Sequence, residues 1–121
     1  MKTRIEYREQ MNVRLKKFAL RVIKLFQSLP KTDEARIIGK QLLRSGTSVA
    51  ANYRAACRAG SGNEFYSKIS IVVEEADESL FWFELLTEAE IISVERMKDL
   101  MQEAEEIVKI MSTARKNAQP K

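Results

Sequence analysis

One apolar stripe limits what this chain can fold into more than any other feature. Ile38, Leu42, Ser45, Val49, Asn52 and Ala56 recur at steps of three and four residues. At roughly 100° per residue, that spacing puts them on one face of an α-helix. The stripe runs without a change of phase through "RSGTS" (44–48), a pentapeptide whose composition suggests a phosphate-gripping loop. Such a loop needs a strand before it and a glycine-rich run ending in Lys-Ser/Thr, and the sequence has neither. The spacing therefore predicts one continuous helix over 33–59. Gly39, Gly46, Ser48 and Ala50 on that helix permit close approach of a neighbour. Each interior glycine costs about 1 kcal/mol of helix propensity, which tight packing has to offset.

The rest of the chain divides in the same manner. With four glycines and two prolines in 121 residues, long helices are expected. A first helix begins at about Arg4 or Met11 and runs to Leu29, where Pro30 stops it. Thr32 is the expected N-cap of the second, with Asp33 and Glu34 complementing the macrodipole. Gly60 is expected to close that helix in a left-handed conformation. Ser61-Gly62-Asn63-Glu64 has the form of a capping box opening a third helix, to about Glu90. Ser93 caps a fourth, with Ile92 and Met97 placed as a hydrophobic staple. Residues 113–121, "TARKNAQPK", read as a polar, disordered tail, leaving 1–112 as the folded domain. Short connections make sequential helices neighbours, so the expected fold is all-α, an antiparallel up-down four-helix bundle. Asn52, the amide in the core stripe, is expected to be buried, bonded to backbone or across the bundle, and to fix register.

Several function classes are excluded on composition. A chain with 45% hydrophobic and 31% charged residues has too many apolar side chains for disorder. Its one cysteine, Cys57, cannot make an intrachain disulfide, which fits a reducing compartment and a cytoplasmic location. The most apolar run, "FALRVIKLF" (18–26), is broken by Arg21 and Lys24, so no membrane span is expected. There is no histidine, so no Ser-His or Cys-His pair and no imidazole metal ligand can form. Glu74 and Glu78 stand one turn apart in "EEADE", but a di-iron bundle needs Glu-x-x-His pairs. Cys57 reads as a small hydrophobe, and Met97, Met101 and Met111 as core filling. No catalytic residue, cofactor or metal is expected; the chain reads as a binder.

What remains is surface. Helix 3 carries a core stripe of Phe65, Ile69, Val72, Ala76, Leu80 and Phe83, and apart from it an apolar patch of Ile71, Trp82, Leu85 and Ala89. Helix 2 carries a flank of Leu43, Gly46, Ala50, Tyr53 and Cys57 beside its core face. A lone bundle buries one stripe per helix, so these extra faces predict contacts between subunits of a homo-oligomer; the alternative is a wide core stripe with scattered exposed apolar residues. Charge is also segregated: residues 1–31 carry +7, 32–61 +3, 62–92 −7 and 93–121 +1, within a total of +4. Arg36, Lys40, Arg44, Arg54 and Arg58 fall within roughly 80° of arc on helix 2, and Arg14, Lys17, Arg21 and Lys24 cluster on helix 1. Such faces can contact phosphates and bind by counterion release. They also fit a solvated surface, or one that meets the acidic face of a neighbouring helix 3 (Glu74, Asp77, Glu84, Glu88).

Two stretches, "QLLRSGTSVAANYRAA" (41–56) and "EFYSKISIVVEEADESLFWFELL" (64–86), resemble the small bacterial four helix bundle protein family. That family includes proteins encoded in intervening sequences of large-subunit ribosomal RNA, and it is similar to accessory proteins of diversity-generating retroelements. Ser48, Val49, Ala51 and Asn52 match its Ser-aliphatic-x-Ala-Asn positions, whereas Ala55-Ala56 stands where many members have Glu-Gly. The resemblance implies an up-down bundle assembled as a ring-like homopentamer without catalytic activity. Two functions follow as expectations. One is an accessory protein gripping RNA or DNA backbone with low sequence specificity, supporting a reverse transcriptase or a ribosomal RNA-linked process. The other is an oligomeric adaptor whose charged faces dock a partner protein.

Overall fold

Four helices and no strand make up the described part of the chain, residues 1–120 of a computed structural model: α1 (Arg4–Ser28), α2 (Asp33–Cys57), α3 (Gly62–Glu88) and α4 (Val94–Ala118). Each opens on a hydroxyl. Thr3, Thr32, Ser61 and Ser93 accept the amide N–H three residues on, from Glu6, Ala35, Glu64 and Arg96, at 3.0, 3.3, 3.1 and 3.3 Å. A cap of this kind contributes about 1 kcal/mol and satisfies one of the orphan donors of a first turn. The helix over 44–48 is continuous, as the stripe requires.

The helix ends depart from expectation in three places. Gly60 is not left-handed; no glycine here has a positive φ. Instead α2 finishes at Cys57 with a tighter turn, Arg58 N–H donating to Ala55 O and Ala59 N–H to Ala56 O at 3.1 and 3.0 Å. Gly60 N–H is then held by Glu64 Oε2 at 3.1 Å. The left-handed residue is Glu90, with φ 59°. It ends α3 in a Schellman turn in which Ile91 N–H reaches back to Leu86 O at 2.9 Å, two orphan carbonyls being satisfied together with Thr87 O. The tail expected from 113 is helical as far as Ala118, because Ala114 still packs against the core and the last turn gains Arg115 and Lys116 at its negative end. Lys121 lies outside the described residues.

The helices form a bundle in which α2 packs on α1 and α3, and α4 packs on α3; α1 and α4 meet only loosely, and the pairs α1/α3 and α2/α4 lie diagonally opposite. Leu15, Phe18 and Val22 of α1 meet Leu42 and Val49 of α2, Ile69, Val72 and Phe83 of α3, and Met97, Ile107 and Met111 of α4 in one buried cluster. The Phe18 and Phe83 rings pack edge to face, centroids 6.3 Å apart. Ile92 and Met97, the expected staple, are both buried.

The α2 stripe is buried at Leu42, Ser45, Val49 and Ala56, with Ile38 and Asn52 half-buried at its margin. Asn52 does not cross the bundle: its Nδ2 donates to Ser48 O of its own helix at 3.0 Å. The interhelical polar contact falls to a pair of serines. Ser45 and Ser79 are fully buried and their hydroxyls are 2.9 Å apart. With one proton each, Ser45 donates to Ser79, whose own proton goes to Glu75 O one turn back at 2.9 Å, while Leu42 O stands at 3.3 Å as the alternative acceptor for Ser45. Ser79 takes the inward position that the helix 3 core stripe gives to Leu80, which is half-buried.

On the other side of α2, glycine sets the distance to α1. A Cβ on Gly46 would stand 3.0 Å from both Val22 methyls, and one on Gly39 would stand 2.6 Å from Leu29 Cδ1. Close approach at Gly39 and Gly46 is therefore a property of the α1–α2 seam within one chain. Gly46 and Tyr53, expected at a subunit interface, are buried inside the chain itself, since α1 already covers that flank. Leu43, Ala50 and Cys57 are half-buried along the same line.

Candidate nucleic-acid interface

The nine cations expected to form one binding surface separate into three groups. Arg14 is turned toward α4, where its Nε and Nη2 donate to the two Glu103 carboxylate oxygens at 2.8 Å each and Nη2 also reaches Glu106 at 3.2 Å. The two-pronged hydrogen bond to Glu103, with the field of both carboxylates, holds the guanidinium proton more tightly than usual against a smaller opposing effect of burial. Arg44 is turned toward α3, paired with Glu75 at 3.1 Å and with Glu78. Trp82 Nε1 donates to the same Glu78 oxygen at 2.9 Å. Both arginines are neutralised inside the chain, so Arg14 and Arg44 leave the candidate surface. Their positions on the helical wheel place them on the basic faces, but a long side chain follows the nearest carboxylate rather than its own wheel angle.

A second group converges. Between α1 and α2 an open groove of about 690 Å³ is lined by Lys16 and Lys17 from one helix and Arg54 and Arg58 from the other, with Ala50 and Cys57 among its apolar lining. No carboxylate lines it. Asn12 Nδ2 lies 3.8 Å from Cys57 Sγ across the seam, so the groove is walled by residues already in contact. Lys17 also belongs to a shallower hollow of about 560 Å³ beside α4, with Arg21, Lys24 and Arg96 against a single acid, Asp99. The two hollows share Lys17 and Leu20 and make one basic tract across α1. The third group, Arg36 and Lys40, is exposed on α2 but lines neither hollow.

Lys16, Arg96 and the apolar rim join the surface only in the folded chain. Val13 and Leu20 are 67% and 56% exposed and flank the groove. The signal for them was present: seven residues apart, off the α1 core stripe, with Lys16 and Lys17 between them. The acidic side is arranged differently. Of the α3 patch, Ile71 is exposed while Trp82 and Leu85 are half-buried; the most open aromatic there is Phe81, its ring edge-on to Trp82 at 5.0 Å. Glu74, Asp77, Glu84 and Glu88 stay exposed beside it. Among the described residues no helix is long and apolar enough to cross a membrane.

Comparison with known proteins agrees with this architecture. A family model described as 23S rRNA-intervening sequence protein matches residues 10–113. A solved structure, described as a protein of unknown function from the S23 ribosomal protein family of Bacteroides thetaiotaomicron, is similar with a TM-score of 0.81 and 34% identity. The match covers 87% of this chain and 97% of that one. No curated protein matches.

Proposed function

The chain belongs to the 23S rRNA-intervening sequence protein family, and from that premise we propose that it is a non-enzymatic accessory protein that grips RNA backbone with the α1–α2 face. The observation that carries this reading is the convergence of Lys16, Lys17, Arg54 and Arg58 on one groove without an opposing carboxylate. Arginine forks suit phosphate oxygens, and Lys17 extends the tract toward Arg21 and Lys24. Few groups there can read base edges, so sequence preference is low and attraction to the backbone dominates. The absence of histidine from the chain supports a binding role over a catalytic one, in the cytoplasm where ribosomal RNA resides.

Gel-shift titrations of single-stranded RNA and DNA at two salt concentrations test it. An assembly engaging roughly six phosphates or more loses a factor of about 10³ or more in affinity between 50 and 200 mM salt. Lys17→Glu, Arg54→Glu and Arg58→Glu together are expected to abolish the shift with helicity intact. Arg44→Glu, which acts on an arginine already held by α3, is expected to leave RNA affinity nearly unchanged. Equal affinity of the triple variant and the parent removes the groove from the mechanism, and favours the reading in which these charges dock a partner protein such as a reverse transcriptase.

We propose further that the antiparallel bundle assembles as a ring-like homo-oligomer, with the α3 flank of Ile71 and Phe81, 36% and 48% exposed, at the subunit contact. The helix 2 flank takes no part, being covered by α1. Light scattering should give the mass of a multimer, a pentamer by family resemblance, and Phe81→Glu should reduce it. A monomer mass at micromolar concentration sinks the assembly.

A further inference from the structure

At the end of the bundle far from Arg21 and Lys24, the first turns of α1 stand off from the last turns of α4 and leave a cavity of about 510 Å³. That is within the range of small-ligand sites, roughly 300–1,000 Å³. Its floor is apolar, from Ala56, Phe65, Met111 and Ala114. Arg4 and Arg8 are its only charged lining residues, and neither makes an ion pair among the described residues. The Arg8 guanidinium lies over the Phe65 ring, 4.8 Å from its centroid. Tyr53, 3% exposed, is walled into the seam yet also lines the cavity, and Tyr7 lines it from α1.

The N-terminus of α3 completes the wall with Ser61 and Gly62. Ser61 takes the Glu64 and Phe65 amides, which leaves the N–H groups of Gly62 and Asn63 without a partner among the described residues. Glu64, the one carboxylate nearby in sequence, is drawn to Gly60 N–H and lies outside the lining. Two unpaired guanidinium groups near free first-turn amides suit a phosphate. Two aromatic rings and an apolar floor suit a planar base, since base–aromatic stacking tolerates any base. Arg4, Tyr7 and Arg8 lie before the family-matched segment and Ala114 after it.

We propose that this cavity is a nucleotide site, taking a 5′-phosphate monoester on a nucleoside, with Arg4 and Arg8 on the phosphate and Phe65 and Tyr7 beside the base. The assignment stands whether or not the α1–α2 face binds backbone. The ligand is either a free nucleotide or the 5′-phosphorylated end of an RNA strand, and two paired titrations separate these sources. Adenosine 5′-monophosphate is compared with adenosine by calorimetry. A 5′-phosphorylated RNA oligonucleotide is compared with its 5′-hydroxyl twin by gel shift.

A phosphate-dependent gain of about tenfold or more is expected in at least one pair, the size of one or two charge-assisted hydrogen bonds. A gain in the first pair identifies a free nucleotide; a gain confined to the second identifies a strand end. Arg8→Gln should lose that gain, with circular dichroism reporting helicity. Arg4→Gln, at an exposed first-turn position, should weaken it without disturbing Phe65. The Lys17→Glu, Arg54→Glu, Arg58→Glu protein should keep the gain for adenosine 5′-monophosphate, which separates this site from the backbone face. No phosphate-dependent gain in either pair, or a gain unchanged in both Arg8→Gln and Arg4→Gln, overturns the assignment.

Discussion

The two seams of α2 are built from different materials. Toward α3 the contact is polar as well as apolar: a buried serine pair, with Arg44 locked onto Glu75 and Glu78 at the rim. Toward α1 the contact is backbone-close, with Gly39 and Gly46 against Leu29 and Val22, and its rim cations face only one another across a groove. Arg44, Arg54 and Arg58 belong to one stripe on the helical wheel, yet one is neutralised and two are available. The difference lies in the neighbour. α3 carries seven acids, two of which, Glu75 and Glu78, reach Arg44, while α1 comes from the most basic stretch of the chain. Available charge, unlike charge count, is a property of pairs of helices.

Substitutions that attack one seam at a time sharpen the contrast. The largest effect is expected at the glycine seam. Gly46→Leu puts a branched side chain where a single Cβ already meets both Val22 methyls at 3.0 Å. Overpacking of this kind costs about 3 kcal/mol, far beyond the roughly 1 kcal/mol of helix propensity regained. Urea unfolding should show a fall in midpoint, and an unchanged midpoint would mean that α1 can retreat at little cost.

At the serine seam the effect is smaller and depends on symmetry. Ser79→Ala removes the interhelical hydrogen bond and leaves the Ser45 hydroxyl with only Leu42 O at 3.3 Å, a loss of about 1 kcal/mol. The double replacement Ser45→Ala and Ser79→Ala removes both polar groups from the dry interior and should recover much of that loss. A double-mutant cycle by chemical denaturation reads the coupling. Strict additivity would show that the pair does not act as a unit.

The smallest effect is a pH dependence at the end of the glycine seam. Burial pushes the Tyr53 phenol well above its ordinary value, helped by the Cys57 thiol and Tyr7 and opposed by Arg8. The folded state therefore keeps a proton that the unfolded state begins to release near pH 10. Stability from this group is complete below that pH and is lost as pH rises toward the folded value. At pH 10 the loss is about 0.4 kcal/mol, half of the unfolded phenol being ionised there. Thermal melts between pH 8 and 10.5 should show a steeper decline for the parent than for Tyr53→Phe. Parallel declines would place the phenol in a more solvated setting.

Much of the fold was legible because its signals are local. Three hydroxyl caps (Thr32, Ser61 and Ser93), the stop at Pro30 and the stripe through 44–48 depend on residues within a turn or two of one another; the Thr3 cap of α1 emerged only in the structure. The helix ends were less legible: Glu90 adopts a left-handed turn without glycine because the Schellman bonds to Leu86 and Thr87 and the burial of Ile92 hold it there. The polar pair at Ser45 and Ser79 was half visible, since Ser45 sat in the stripe but its partner is 34 residues away. Of the candidate site, Lys17, Arg54 and Arg58 were found from spacing, and Lys16 and Arg96 were not.

The sequence by itself determined where the helices lie and which face of each is apolar, because helical period and capping are short-range properties of the chain. It also determined that positive charge gathers in the first half and negative charge in the third quarter. Only the tertiary structure decided which cations remain available. Arg14 and Arg44 are bound to carboxylates 89 and 31 or more residues away, and Gly46 and Tyr53 are covered by α1 rather than by another subunit. Those outcomes depend on which helix lies beside which, and at what distance. Coulomb attraction and steric contact act across space, where separation along the chain carries no information.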